Sequence, residues 1–347
     1  MAASFVDYLT RRLPLVERAL AKSAAAPLTD EAVASDLGRY LYSPLEGFTA
    51  SGGKRVRPVL ALLGSEAVGG RAEDALSVAA AVELFQSAAL IHDDIADESE
   101  LRRGVPCLYR TAGTGLAINA GDLALTQVFE VVLEDESLDP ERKVRALSEL
   151  VRMERHTLEG QALDLGWVHD GRWDVSPDDY LYMVTSKTSW YTVASPLCLG
   201  ALVGGGSAEA AQGLLDLGIS AGIAFQLQDD LLNLVGDAAK QGKDFRSDVT
   251  EGKRTLAVVW ALRHLDAEKS RELVALLNQK TTDPGELSRA VELIELGGGV
   301  ERCRELARSE AQAAKALAAE LAEVGHITAE SRDLLISMSD FFVERAG

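Results

Sequence analysis

The 347-residue chain carries 54 acidic against 35 basic side chains, a net charge of −19, with 47% apolar and only 5% aromatic residues. That balance excludes a general nucleic-acid or anionic-membrane surface, although local Lys/Arg clusters or bound cations can reverse the field inside a cleft. Ala and Leu dominate and Asn-Gly hairpin signals are absent, so the expected fold class is all-α. No Pro/Ser-rich linker or low-complexity block interrupts the chain, and residues 1–347 read as a single domain. Cys107, Cys198 and Cys303 are far apart and odd in number, which suits reduced cytosolic thiols better than a disulfide frame or zinc site. The N-terminus lacks a signal-peptide apolar region and no segment gives a clean membrane span, so a cytoplasmic location is expected.

The first helix is expected over residues 4–24, where Phe5, Leu9, Leu13, Val16 and Leu20 recur at threes and fours. Thr29-Asp30-Glu31 offers a cap for a second helix. Ser51-Gly52-Gly53-Lys54-Arg55-Val56-Arg57-Pro58 then sets two glycines before three cations, a loop able to approach an anion closely, or simply a basic surface loop. Pro58 suits the first turn of a following helix. Helices around a Gly69-Gly70 turn lead to Phe85–Asp97, an apolar run that ends in Asp93, Asp94 and Asp97. Asp93 and Asp97 lie four apart on one helix face. Carboxylates so close repel each other, and a hard divalent ion such as Mg²⁺ relieves that repulsion; a solvated acidic helix end is the plainer alternative.

Arg102 and Arg103 follow, suited to fork-like bonds with phosphate oxygens or to neutralising the nearby acids. An apolar helix is expected from Asn119–Asp122 to about Val132, and another over 141–165. Within the latter, Asp164 sits among apolar residues and needs a partner or a metal if buried. Lys187 follows a mainly apolar face and likewise needs an anion. Phe225–Asn233 repeats the earlier design: an apolar segment, then Asp229, Asp230 and, four residues after the first aspartate, Asn233. Two such clusters can face each other across a helical bundle and clamp one polyanion. The intervening sequence shows no internal duplication. A polar loop (242–248) and Glu251–Thr255 precede further amphipathic helices over 284–347, including Ala-rich 301–323, which read as scaffold.

In this order GGKRVRP, LIHDDIADESELRRG, NAGD, GQALDL, KT, FQLQDD and GKDFRSDVTEGKRT resemble the trans-prenyltransferases, the polyprenyl or isoprenyl diphosphate synthases. The resemblance implies an isoprenoid synthase-type helical bundle around a deep central cavity, usually a homodimer. It implies head-to-tail joining of isopentenyl diphosphate to an allylic diphosphate (dimethylallyl, geranyl or farnesyl) with release of pyrophosphate, itself the implied proton acceptor. The implied metal set is Asp93, Asp97 and Asp164 facing Asp229, Asp230 and Asn233, around roughly three Mg²⁺ ions. The implied catalytic set is Asp93, Asp94, Asp97, Asp229, Lys187 and Arg102. Arg102, Lys187 and Lys243 would hold the allylic diphosphate, with Lys253 among the substrate-binding residues. Lys54, Arg57, Gln86 and Arg103 would hold isopentenyl diphosphate, Gln86 standing where many relatives carry His. Thr188 and Gln226 would line the reacting region. The second cluster departs from the usual DDxxD in ending on Asn233, a neutral oxygen donor.

For product length, the tail is expected to run down the first aspartate helix, past the small Ala88 and Ala89 to a floor at Phe85, giving geranylgeranyl diphosphate or slightly longer chains; the alternative is that Phe85 points into the core and another helix, near Phe129, sets the floor. The alternatives are a prenyltransferase with another acceptor, a terpene cyclase of the same superfamily, or a non-catalytic partner subunit. The isopentenyl-binding set argues against a cyclase, and the nearly intact acids argue against a silent subunit.

Overall fold

Ala/Leu-rich sequence makes helix the favoured backbone state, and helices build almost all of this computed structural model, which describes residues 4–23, 31–237 and 245–344. The expected first helix is Phe5–Ser23. Its start packs on the C-terminal helix Ala329–Glu344, where the fully buried Phe342 meets the rings of Phe5 and Phe225 at centroid distances of 6.3 and 5.1 Å. Four helical runs position the central cavity: Leu76–Ala96, Pro140–His169, residues 177–203 and Ala208–Val235. Their starts are set locally. Asp139 and Ser207 accept hydrogen bonds from the backbone N–H groups of Arg142 and Ala210, and Ser176 and Asp179 form a reciprocal capping box. Within 177–203, the stretch Thr185–Ala194 widens into π-helix, a geometry that often marks functional sites.

Three expectations need correction. The helix expected from Asn119 begins at Thr114, directly after Gly113, whose φ of 91° breaks the short helix before it. A small antiparallel hairpin pairs Leu101–Arg102 with Val105–Pro106, although no Asn-Gly signal announces it. Its tip is Arg103-Gly104, both at positive φ (53° and 82°), as a two-residue turn of matching twist requires. Finally, the stretches Ala72–Ala96, Thr114–Leu133 and Ala208–Val235 are long and apolar enough, by length and composition, to cross a membrane. In the first and last, 72% and 61% of the apolar window is buried in the bundle. Cys107, Cys198 and Cys303 are buried and form no disulfide among the described residues. The Thr29-Asp30 half of the expected cap lies outside the described residues; the helix there is Glu31–Leu37.

Truncating Phe342 to Ala is expected to cost about 3–5 kcal/mol, because it empties a fully buried aromatic site that joins both ends of the chain. Urea unfolding of Phe342→Ala and wild-type protein checks this; a loss below about 1 kcal/mol would mean that the site collapses freely.

Candidate active site

The site begins with helix surfaces that touch. A Cβ built on Gly160 would lie 2.2 Å from the backbone nitrogen of Lys187, and one on Gly222 would lie 2.6 Å from the Ser189 Cα. Only glycine permits this approach. The π-helical segment Thr185–Ala194 is therefore clasped between the Pro140–His169 and Ala208–Val235 helices, each of which carries acids. From that position Lys187 Nζ donates to Asp164 Oδ2 at 2.5 Å. One residue beyond Gly160, Gln161 Nε2 donates to Asp93 Oδ1 at 2.7 Å, tying in the first aspartate helix.

These elements enclose a cavity of about 580 Å³. Asp97 and Asp164 line one side, and Asp229, Asp230, Asp248 and Glu251 the other, with Lys187 and Lys253 between them. Lys253 Nζ pairs with Glu251 at 2.6 Å and approaches Asp248 at 3.6 Å. The surrounding protein desolvates Asp93 and Asp97 and pushes both carboxyls above the usual range, against the pull of the two lysines. Burial also raises Asp248 to about 6, despite the opposing Lys253. Burial alone would raise Asp164, but Lys187 and Lys253 hold it below the ordinary value. The lysines thus act as internal counter-ions to an acid-lined cavity.

A second cationic corner adjoins the first. Arg103, at the hairpin tip, lines the cavity, and its guanidinium reaches back to the glycine loop, donating to Ser51 Oγ at 3.1 Å. Arg57 Nη2 donates to Tyr191 Oη and Thr192 Oγ1, both at 3.0 Å, while its buried Nε has no protein partner among the described residues. Gln86 is buried with Oε1 likewise unpartnered, and Lys54 is exposed on the loop. Arg55, between the two expected ligands, does something else. It is 3% exposed, sits at φ 48°, and bonds to Glu83 (2.5 Å), Glu17 (2.8 Å) and the Thr49 carbonyl (2.6 Å). That pair anchors the loop; removing one partner would leave a buried charge uncompensated.

Several expected ligands are engaged elsewhere. Asp94, grouped with the catalytic acids, is turned about 100° from its neighbours on the helix; it is 1% exposed, and Oδ1 accepts from Arg102 Nε and Nη2 at 2.9 and 2.5 Å. Arg102 lines the cavity with its guanidinium bound to that acid. Asp230, expected on the metal, accepts from Tyr180 Oη at 2.6 Å and Gln226 Nε2 at 2.7 Å, and burial raises it to about 8. Asn233 donates from Nδ2 to Ser247 Oγ at 2.9 Å and accepts at Oδ1 from the Asp248 N–H at 3.2 Å. Its amide secures the short helix Ser247–Glu251, replacing the expectation of a carbonyl turned to a metal. Thr188 and Gln226 line the cavity as expected of the reacting region. Phe85, Ala88 and Ala89 do not: Ala88 packs with Ile91, Ala117, Ala120 and Ala124, and Phe85 lies edge-on to Tyr191. Lys243 lies outside the described residues. Gly160, Gln161, Tyr180, Tyr191, Asp248 and Glu251 had no role assigned from sequence; Gly160-Gln161 within GQALDL, and Asp248 and Glu251 within GKDFRSDVTEGKRT, carried a signal, and the two tyrosines carried none.

The donor set fits a hard cation. It is all oxygen, and burial, with a smaller contribution from neighbouring acids, raises the proton affinity of Asp93 and Asp97. Among the described residues no three acidic, His or Cys side chains converge closely enough to hold an ion by themselves. An ion here requires oxygens from a second source, as Mg²⁺ bound through one or two carboxylates plus phosphates does.

The glycine clasp makes a paired prediction. Gly166 has open space around its missing Cβ, so Gly166→Ala should stabilise the protein by about 0.5–1 kcal/mol through helix propensity. Gly160→Ala should destabilise it by about 1–3 kcal/mol through overpacking. Denaturant unfolding of both variants decides the matter; equal effects would remove the clasp.

Residues 38–294 match the polyprenyl synthetase family. The chain is similar to a short chain isoprenyl diphosphate synthase from Methanothermobacter thermautotrophicus, 38% identical over 86% of this chain and 89% of that protein. Its structure is similar to geranylgeranyl pyrophosphate synthetase from Pyrococcus horikoshii, with a TM-score of 0.87 and 29% identity over 98% of both chains. It is also similar to geranylgeranyl pyrophosphate synthase from Corynebacterium glutamicum complexed with isoprenyl diphosphate and magnesium, with a TM-score of 0.81 and 30% identity over 98% of this chain and 97% of that one. With three quarters of its length matched and its cavity lined by two facing acid clusters, the chain belongs to the polyprenyl synthetase family of prenyl diphosphate synthases.

Proposed function

We propose that this chain condenses isopentenyl diphosphate head-to-tail with an allylic diphosphate (dimethylallyl, geranyl or farnesyl) and that its main product is geranylgeranyl diphosphate. One observation carries the reading: Lys187 and Lys253 line the cavity among the acids, while Arg103 lines it beside the glycine loop, with Arg57 bonded to the cavity-lining Tyr191, so that two cationic corners serve one cavity. Two corners suit two diphosphates, whereas a cyclase needs one. The product length is supported by the names of the similar synthases and by the bulk of Phe85 and Tyr191 beyond Lys187.

In this reading Asp93, Asp97, Asp164 and Asp229 would hold Mg²⁺. Bound Mg²⁺ compensates the charge of the departing diphosphate. The protein contributes the rest. Lys187 and Lys253 shift their ion pairs from the acids to the diphosphate oxygens, stabilising the charge that develops as the allylic C–O bond breaks. Arg57 and Arg103 orient isopentenyl diphosphate so that its double bond faces the new cation, a near-attack placement. The new C–C bond forms as that π pair attacks, and loss of a proton to the released pyrophosphate restores an alkene. Met183, Val184 and Tyr191 give the carbocation a wall with little water.

The whole chain acts as one domain, and a second copy covers an exposed apolar surface. Val144, Val151, Leu158 and Leu165 recur every seven residues along Pro140–His169, all at least 40% exposed. Leu116, Ile118 and Leu133 are exposed on the adjacent Thr114–Leu133 helix. A heptad stripe of this size is what an isologous helical interface uses. Three cysteines without a disulfide among the described residues suit a reducing, cytoplasmic setting.

Purified protein with Mg²⁺, labelled isopentenyl diphosphate and farnesyl diphosphate should form a prenyl diphosphate, and Asp93→Ala or Asp229→Ala should each lower turnover by several orders of magnitude while retaining the fold. Near-normal turnover in either variant would sink the two-sided clamp. No product from wild-type protein with any primer would favour the non-catalytic alternative.

A further inference from the structure

We propose that Tyr191 is the wall that stops the growing prenyl tail and that its hydroxyl also positions Arg57 for the incoming isopentenyl diphosphate. The inference rests on the synthase reading above and adds to it the residue that links product length to substrate grip.

Tyr191 follows Lys187 by four residues, and both line the cavity. In a helical segment that spacing is close to one turn, which sets the two residues on the face that lines the cavity. A tail leaving a diphosphate held by Lys187 therefore runs toward this ring. Directly behind it stands Phe85, edge-on, with ring centroids 5.7 Å apart and planes at 72°. Phe85 is 3% exposed and does not line the cavity. The surface the tail meets is thus Tyr191, and Phe85 backs it. Phe85 lies eight residues before Asp93, about 12 Å down that helix at 1.5 Å per residue. The ring pair therefore closes the cavity well below the acids, at the depth expected of a floor.

The other edge of the same ring faces the second cationic corner. Arg57 Nη2 donates to Tyr191 Oη at 3.0 Å and to Thr192 Oγ1 at 3.0 Å, and its guanidinium carbon lies 4.5 Å from the Tyr191 ring centroid. These contacts occupy one end of the guanidinium and leave its buried Nε without a protein partner among the described residues. A phosphate oxygen would complete that donor set. The phenol is held by Phe85 on one side and Arg57 on the other, so a change in the ring should be felt at both substrates' ends.

The experiment compares Tyr191→Phe, Tyr191→Leu and Tyr191→Ala with wild-type protein, using isopentenyl and farnesyl diphosphates with Mg²⁺, chromatography of the products, and KM for each substrate. Tyr191→Phe keeps the wall and loses the hydroxyl. Its product length should be unchanged, while KM for isopentenyl diphosphate rises roughly ten-fold, as loss of a hydrogen bond from a charged donor implies; KM for the allylic primer should stay put. Tyr191→Leu and Tyr191→Ala open the floor and should lengthen the product by at least one isoprene unit. If the alanine variant fails to fold, the leucine variant carries that arm. An active wild type whose Tyr191→Leu product has the same length, or whose Tyr191→Phe variant keeps its KM, overturns this inference and leaves the synthase reading standing. An inactive wild type overturns the reading and the inference together.

Discussion

The arrangement depends on a steric condition at two glycines. Gly160 lets the backbone of Lys187 come within what would be 2.2 Å of a Cβ, and Gly222 does the same for Ser189 at 2.6 Å. Helices this close cannot slide independently, because interiors packed at crystal-like density transmit small shifts. The Thr185–Ala194 segment is consequently the fixed reference from which both acid-bearing helices are measured. Lys187 reaches Asp164, Thr188 lines the cavity, and Tyr191 meets Phe85 and Arg57, all from ten consecutive residues.

Electrostatics follow from that geometry. Bringing Asp97 and Asp164 opposite Asp229, Asp248 and Glu251 concentrates negative charge in a poorly solvated space, and the raised carboxyl of Asp97 registers the cost. Lys187 and Lys253 offset part of it through direct pairs with Asp164 and Glu251. The remainder is the site's affinity for cations. Since no three described side chains converge on one point, the protein supplies only part of each coordination sphere. In the proposed function a diphosphate would supply the rest, so that metal and substrate would bind together. The chain's net charge of −19 is compatible with an anionic substrate for this reason.

Much of this was legible in the residues. The helices follow from apolar periodicity and Ala/Leu content, and both aspartate clusters stand out because paired carboxylates at the end of an apolar run have few plain explanations. What sequence could not supply was the identity of distant partners. Lys54-Arg55-Val56-Arg57 reads as three equivalent cations, yet Glu83 and Glu17 take Arg55 into the core. Asp94 looks like its neighbour Asp93 until helix geometry turns it toward Arg102. Asn233 looks like a weakened metal ligand, but Ser247 and the Asp248 backbone claim its amide across a break of fourteen residues. Arg103-Gly104 forms a hairpin without the usual Asn-Gly, since Arg103 itself adopts positive φ. For Arg55 and Asn233 a contact remote in sequence overrides a local reading.

The claim that the protein provides half of a metal site, completed by diphosphate, is tested most directly by calorimetric titration of Mg²⁺ into the protein with and without inorganic pyrophosphate. Weak Mg²⁺ binding to the protein alone, and binding at least about ten-fold tighter to the protein saturated with pyrophosphate, is the coupling the account predicts. Equal Mg²⁺ affinity in the two titrations would contradict it, because the aspartates would then hold the ion unaided.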